Sequence, residues 1–264
     1  MNSIKRIIAI AGNTFKEAIR NRAFIALMVA TLTLILSSLL LAALAVVGPE
    51  KRIIQDFGLF FISLMGVIIS VTTGVILVHK ELERKTIYTV LARPLHRWEF
   101  IIGKYAGMLL ILLAEVLFLA LTWFLVLYVE GVELEPILAK AVLLIFGELM
   151  IVSATALLFS SFSTPVLSGI LTLAVFVTGR VVYLVEEILH AKKGIFVTAP
   201  ALKPFGRALA NFFPDLSIFN ISKEILLGKE VDFAYIGQAF LYAWSYVLIL
   251  IVVAVLFFRR RDFI

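Results

Sequence analysis

The 264-residue sequence has no cysteine, three histidines and seven prolines, and only 16% of its residues are Asp, Glu, Lys or Arg. Without cysteine there is no disulfide framework and no thiol chemistry, and the redox compartment stays open. His190 has acidic neighbours but lacks the partner ligands at metal-site spacing, and His79 and His96 read as interfacial polar residues. No G-x-x-x-x-G-K-[ST] occurs: Gly103-Lys104 lacks the upstream glycine and the following hydroxyl, so the chain shows no P-loop for ATP. H-E-x-x-H, G-x-S-x-G and a nucleophile triad are equally missing, so no enzyme activity is expected. The scarcity of charge excludes most of all, because a soluble domain carries roughly a quarter charged residues.

Apolar sequence takes its place. Hydrophobic residues make up 62% of the chain, and the mean hydropathy is +1.08. Apolar stretches of about eighteen residues or more recur, each long enough to cross a bilayer as a helix. The sequence predicts an all-α integral membrane protein with a single transmembrane domain over 1–264. Six spans fit: Ala23–Val47, Phe57–Val78, Tyr105–Val129, Ile137–Ser160, Val166–Val185 and Ile236–Phe258. The first apolar span starts late and is full length, which does not read as a cleavable signal peptide.

Lys and Arg set the expected orientation. The amino-terminal segment 1–22 carries Lys5, Arg6, Lys16, Arg20 and Arg22, and the tail has Arg259, Arg260 and Arg261. Between the second and third spans lies a polar island, 79–104, with Lys80, Arg84, Lys85, Arg93, Arg97 and Lys104. The first loop has only Lys51 and Arg52, and Glu130–Pro136 has three Glu and no base. Both termini and the island are therefore expected in the cytoplasm. The segment 186–232 disagrees, with Lys192, Lys193, Lys203, Arg207, Lys223 and Lys229 on the expected outer side. Long loops obey the rule poorly. The net charge of +6 follows from this topology and from contact with anionic lipid, not from nucleic acid.

Four segments carry more than a span requires. Ile4 to Arg22 places Ile4, Ile7, Ile8, Ala11, Phe15, Ala18 and Ile19 at helical spacing, an interfacial amphipathic helix that is a lipid anchor, a partner surface or both. Gly66, Ser70 and Gly74 form a small-residue stripe that serves either a subunit interface or packing within the chain. The island reads as a helix over Lys80–Leu91, a break at Pro94, and a second helix from His96 into the third span. The outer segment is apolar and divided by Pro200, Pro204 and Pro214; Asp215–Leu227 reads as a helix closed by Gly228, dipping back into the membrane or capping it.

Charges inside the spans are costly and need a partner. Glu115 and Glu148 lie deep in apolar runs, and Arg180 in the fifth span either pairs with Glu148 or snorkels outward. Two readings stand: a polar lining for a translocation path, or buried interhelical hydrogen bonding.

The island resembles the cytoplasmic loop of type-two ABC exporter permeases. That pattern runs from an acidic start through a Thr, a Leu, a Pro and an Arg to a Gly-Lys; here it is Glu81 and Glu83, Thr86, Leu91, Pro94, Arg97 and Gly103-Lys104. Lys85 stands where Gly is usual, and Ala92 where Ser is. Thr14-Phe15-Lys16-Glu17 with Arg20-Asn21-Arg22 resembles the family's amino-terminal elbow. Phe213-Pro214-Asp215 with Phe219-Asn220 resembles its outer re-entrant segment, and Arg260-Arg261-Asp262-Phe263 its carboxyl terminus. The single-domain permeases labelled for multicopper-enzyme maturation look nearest.

The resemblance implies a permease subunit in a prokaryotic plasma membrane (the inner membrane of a Gram-negative cell). It implies a homodimer or heterodimer served by separate ABC ATPase subunits, which would bind the ATP and Mg; no cofactor is expected in this chain. Coupling to the ATPase would fall on Glu81, Glu83, Thr86, Arg93, Pro94 and Arg97, and on Phe15, Lys16 and Arg20 of the interfacial helix. Two other classes stay open: an ATPase-coupled scaffold or sensor that moves a partner, and an ion-coupled secondary transporter using Glu115 and Glu148.

Overall fold

The computed structural model describes residues 3–44, 50–83, 96–190 and 203–260. They form α1 (Ser3–Ile19), α2 (Arg22–Ala43), α3 (Glu50–Glu83), α4 (Arg97–Val129), α5 (Pro136–Phe162) and α6 (Pro165–His190). After these come α7 (Lys203–Phe212), a 3₁₀ turn at Ser217–Phe219, α8 (Ser222–Leu226) and α9 (Phe233–Arg260). The architecture is all-helical. Six helices, α2 to α6 and α9, are long and apolar enough to cross a membrane, as the hydropathy pattern predicts.

Local chemistry sets several helix ends. The Asn21 side chain accepts from the Ala23 amide to start α2 (3.0 Å), and Pro136 and Pro165 occupy the first positions of α5 and α6, where a missing N–H costs nothing. Gly131 takes a φ of +63° after α4, and the Val132 amide then closes back onto the Leu127 carbonyl at 2.9 Å.

Pairs of contacts fix the two faces of the bundle. Arg97 Nη1 donates to the Phe258 carbonyl (3.1 Å) and Arg6 meets Glu99, so both chain ends share a face with the start of α4. On the opposite face Lys51 Nζ reaches the Gly131 carbonyl (2.7 Å) and Lys140 Nζ the Val231 carbonyl (2.6 Å).

α5 is the hub. Of its membrane-length window 78% is buried, against 17% for α2. Lipid is as apolar as leucine, so helices associate here through close packing and polar contacts. Leu149 packs onto Gly66 and Ala156 onto Gly74, which assigns the small-residue stripe of α3 to packing within the chain. Trp123 of α4 covers Gly58 and donates its indole N–H to the Ile54 carbonyl at 3.1 Å.

α1 lies along the first half of α4. A Cβ at Gly103 would stand 2.8 Å from Ile10, and one at Gly107 2.5 Å from Thr14, so two glycines one turn apart admit the helix. Ala11, Thr14 and Ala18 are buried there, while Ile4 and Ile8 are exposed. The amphipathic helix thus has one apolar stripe for its own chain and another left outward.

Three boundaries depart from expectation. α3 begins at Glu50, so Lys51 and Arg52 sit in its first turns and not in a loop. α6 runs to His190 and takes 186–190 out of the outer segment. Hydropathy falls at these polar ends, but helical hydrogen bonding continues through them. Third, 215–227 is not one helix. Asp215 Oδ1 accepts from the Ser217 amide (2.9 Å) and Asn220 Oδ1 from the Ser222 amide (3.1 Å), and these local bonds divide it into the 3₁₀ turn and α8. The expected stop does hold: Gly228 has a φ of +61°.

Gly107→Leu should displace α1, at about 1–3 kcal/mol of overpacking. Thermal unfolding in mild detergent should shift downward and trypsin should cut at Lys16 sooner. Gly12→Ala, whose added methyl meets nothing within 4 Å, should do neither.

Candidate functional site: a buried arginine fork beneath a polar chamber

Four successive residues of α5 gather most of the molecule. Gly147 lies under the ring of Phe219. Glu148 receives α6 and α3. Leu149 fills the space over Gly66, and the Met150 carbonyl accepts the Tyr105 hydroxyl of α4 at 3.1 Å. Gly147 stands eleven residues into α5, about 16 Å from its start at 1.5 Å per residue. The turn at Ser217–Phe219 therefore reaches well down between the helices. Across from it, Gly179 of α6 has no side chain to obstruct Pro214 and Leu216, and its carbonyl accepts the Leu216 amide at 3.0 Å.

At this level Arg180 forks onto Glu148. Nε donates to Oε1 and Nη2 to Oε2, both at 2.7 Å. Nη2 also donates to Ser63 Oγ (2.7 Å), and that hydroxyl donates to Glu148 Oε2 (3.2 Å). The Phe176 ring lies 5.3 Å from the guanidinium carbon. The Glu148 side chain is 1% exposed and that of Arg180 29%. A lone charge here would be expensive, whereas a planar fork matched to a carboxylate, with a third bond from a hydroxyl, meets most of the desolvation cost. Arg180 is thus paired and does not snorkel.

Above the fork a chamber of about 80 Å³ opens towards the face opposite the chain ends. Its walls come from α3, α5, α6 and the outer segment, with Asp56, Ser63, Arg180, Asn220 and Ser222 as polar lining and Phe60 and Phe219 among the apolar residues. Asp56 is tied to Arg52 across one turn of α3, at 3.7 Å.

Glu115 is not part of this group. It is 1% exposed in α4, and neither carboxylate oxygen has a hydrogen-bond partner among the described residues. The two glutamates expected in the spans therefore have different surroundings, and they form no hydrogen-bonded acid pair.

The chain-end face holds the other candidates. Lys16 and Arg20, with Asn13, Asn21 and Arg22, border an open basic groove beside α1, while Phe15 packs against the core. Glu99 is buried, accepts from its own cap at His96 N (3.1 Å) and pairs with Arg6 at 3.4 Å, which ties α1 to α4. Glu81 and Glu83 end α3. Thr86, Arg93 and Pro94 lie outside the described residues, as does most of the expected coupling helix.

Ser63, Glu99 and Gly107 were not singled out from the sequence, and Gly103 was singled out only as part of the Gly-Lys pair. Ser63 is one turn before Gly66 on the face that continues through Ser70 and Gly74. That spacing was the available sign that it turns towards the helix carrying Glu148.

Residues 5–190 match the family described as ABC-2 type transporter. The match spans α1 to α6 and so includes Ser63, Glu148, Arg180 and the polar island. No curated relative matches the chain.

Glu148→Ala leaves the arginine without its carboxylate and should cost about 3 kcal/mol, the low end of the 3–5 kcal/mol typical of a broken buried pair, because Arg180 keeps some solvent. Arg180→Ala should cost a similar amount, and the double variant much less than the sum. A double-mutant cycle on detergent-solubilised protein measures the difference; additive losses would show the fork to be energetically idle.

Proposed function

Because the chain belongs to the ABC-2 type transporter family, we propose that it is the permease subunit of an ABC exporter driven by a separate ATPase. As a member of that family it is a multi-pass membrane component of a transporter, not an ATP-hydrolysing enzyme. The proposal extends this in several respects. ATP and Mg are bound by the partner ATPase, two permeases assemble as a homodimer or heterodimer, and cargo moves outward. The membrane is a prokaryotic plasma membrane with both termini in the cytoplasm. The nearest subtype is the group labelled for multicopper-enzyme maturation.

One observation carries the coupling reading: α3 is a single helix of 34 residues, about 50 Å at 1.5 Å per residue. It begins on the chamber side and ends at Glu81 and Glu83 on the face of the chain ends. Ser63 lies on the same helix, twenty residues before Glu83, or about 30 Å away. A push on the acidic end therefore arrives at the fork as a movement of a rigid rod. Shifts of about 1–2 Å are enough to exchange one helix packing for another, and a shift of that size separates Ser63 from its two bonds. Thr86, Arg93, Pro94 and Arg97 complete the proposed ATPase contact. Phe15, Lys16 and Arg20 add a second, since α1 is fastened to α4 and moves with it.

In this reading Glu148 and Arg180, with Glu115 in α4, supply polar lining along the path. The fork holds the chamber floor closed in the arrangement described and opens when α3 moves.

Charge reversal at Glu81 and Glu83 together should leave insertion and basal ATP hydrolysis by the partner intact while transport in proteoliposomes falls at least tenfold. Full transport by that variant would remove the coupling role. Gln at both Glu115 and Glu148 should slow transport; unchanged transport would return both to packing.

A further inference from the structure

The chamber above the fork has polar groups left over, and two of them are donors. Arg180 commits Nε and Nη2 to Glu148 and Ser63, and its Nη1 has no hydrogen-bond partner among the described residues. Asn220 gives its carbonyl oxygen to Ser222, which donates from both the amide (3.1 Å) and the hydroxyl (2.7 Å). That fixes the side chain and leaves its NH₂ as the spare end. Ser63 is used in both senses by the fork. The acceptors in the lining are Asp56, half-exposed and paired with Arg52, and Ser222 Oγ, which gives its hydrogen to Asn220. The spare groups on Arg180 and Asn220 are thus donors.

Size and wall composition narrow the ligand further. The chamber's volume of about 80 Å³ is several times the roughly 10–15 Å³ that a single water needs. A phosphate or carboxylate group therefore has room there. Leu59, Ile145, Phe219 and Ile221 make the rest of the lining apolar. Phe60 belongs to that lining and is also 54% exposed. The chamber therefore adjoins a flank of α3 where an alkyl chain can lie.

We infer that this chamber is a binding site for the acidic head group of an amphiphile, one phosphate or carboxylate held by Arg180 Nη1 and the Asn220 amide with its tail against Phe60. The site is occupied from the face opposite the chain ends. Glu148 positions the arginine and neutralises it in the empty state, so the chamber is stable without its ligand. The inference rests on the reading of the fork as path lining only for what the site contributes to transport. Binding itself needs neither ATP nor the ATPase.

The test is native mass spectrometry of the purified chain in a non-ionic detergent, titrated with dioleoyl phosphatidic acid, dioleoyl glycerol and glycerol phosphate. One phosphatidic acid per chain should bind at least tenfold more tightly than either the tail or the head alone. Asn220→Asp keeps the acceptor for the Ser222 amide and hydroxyl and exchanges the spare donor for a carboxylate at an exposed position, so folding is retained while binding drops at least tenfold. Ala141→Leu, which fills the chamber from α5, should do the same, and Leu121→Ala on an exposed flank of α4 should do nothing. Equal binding of dioleoyl glycerol, equal binding of glycerol phosphate, or undiminished binding by Asn220→Asp with Ala141→Leu would each overturn the inference. Failure of transport with intact binding would instead count against the exporter reading.

Discussion

A charged fork inside an apolar bundle is the contact on which the other arrangements depend. Membrane helices gain little from burying apolar surface against each other, since lipid offers the same surroundings. Register and neighbour choice then fall to close packing and to polar groups that have no alternative partner. Glu148 reaches Arg180 and Ser63 at once, and its flanking residues Gly147 and Leu149 receive Phe219 and Gly66. Moving α5 by one residue would break the fork, strand Phe219 and push Leu149 off the glycine. One turn of helix thereby fixes α3, α6 and the outer segment together.

The two faces of the molecule are joined by continuous helices. α3 links the acidic end at Glu83 to the hydroxyl at Ser63 without a break. α4 begins at its cap on Glu99, accepts α1 over Gly103 and Gly107, and continues to Trp123, which closes back on α3. A force applied at the chain-end face thus has stiff paths to the chamber. Glycine contacts bind both halves, and the fork adds hydrogen bonds on the chamber side. The fork is the part that discrete hydrogen bonds can release.

The sequence revealed the spans because apolar runs of this length admit few other structures, and it revealed the glutamates and the arginine because charge in such runs needs an explanation. Pairing of Glu148 with Arg180 was one of two open outcomes, and geometry chose it. Ser63 was harder to find, since a serine in a membrane helix usually bonds its own backbone; its role follows only from which helix lies opposite. The same non-local information separates the stripe at Gly66 and Gly74, which could have served a dimer, from its actual use against α5. α1 showed its amphipathic character in the sequence, but not that Gly103 and Gly107 accommodate half of its apolar face. The division of 215–227 at Asn220 turned on side-chain bonds of a few residues' range, which hydrophobic periodicity does not register.

A permease of this kind works only if a soluble motor attends it. The direct measurement is to tag the chain, solubilise its native membranes in mild detergent, and identify by mass spectrometry what is retained. A soluble ATPase carrying a P-loop, recovered in stoichiometric amount, is the predicted result. Its repeated absence from intact, folded preparations would contradict the proposal of a permease worked by a separate ATPase.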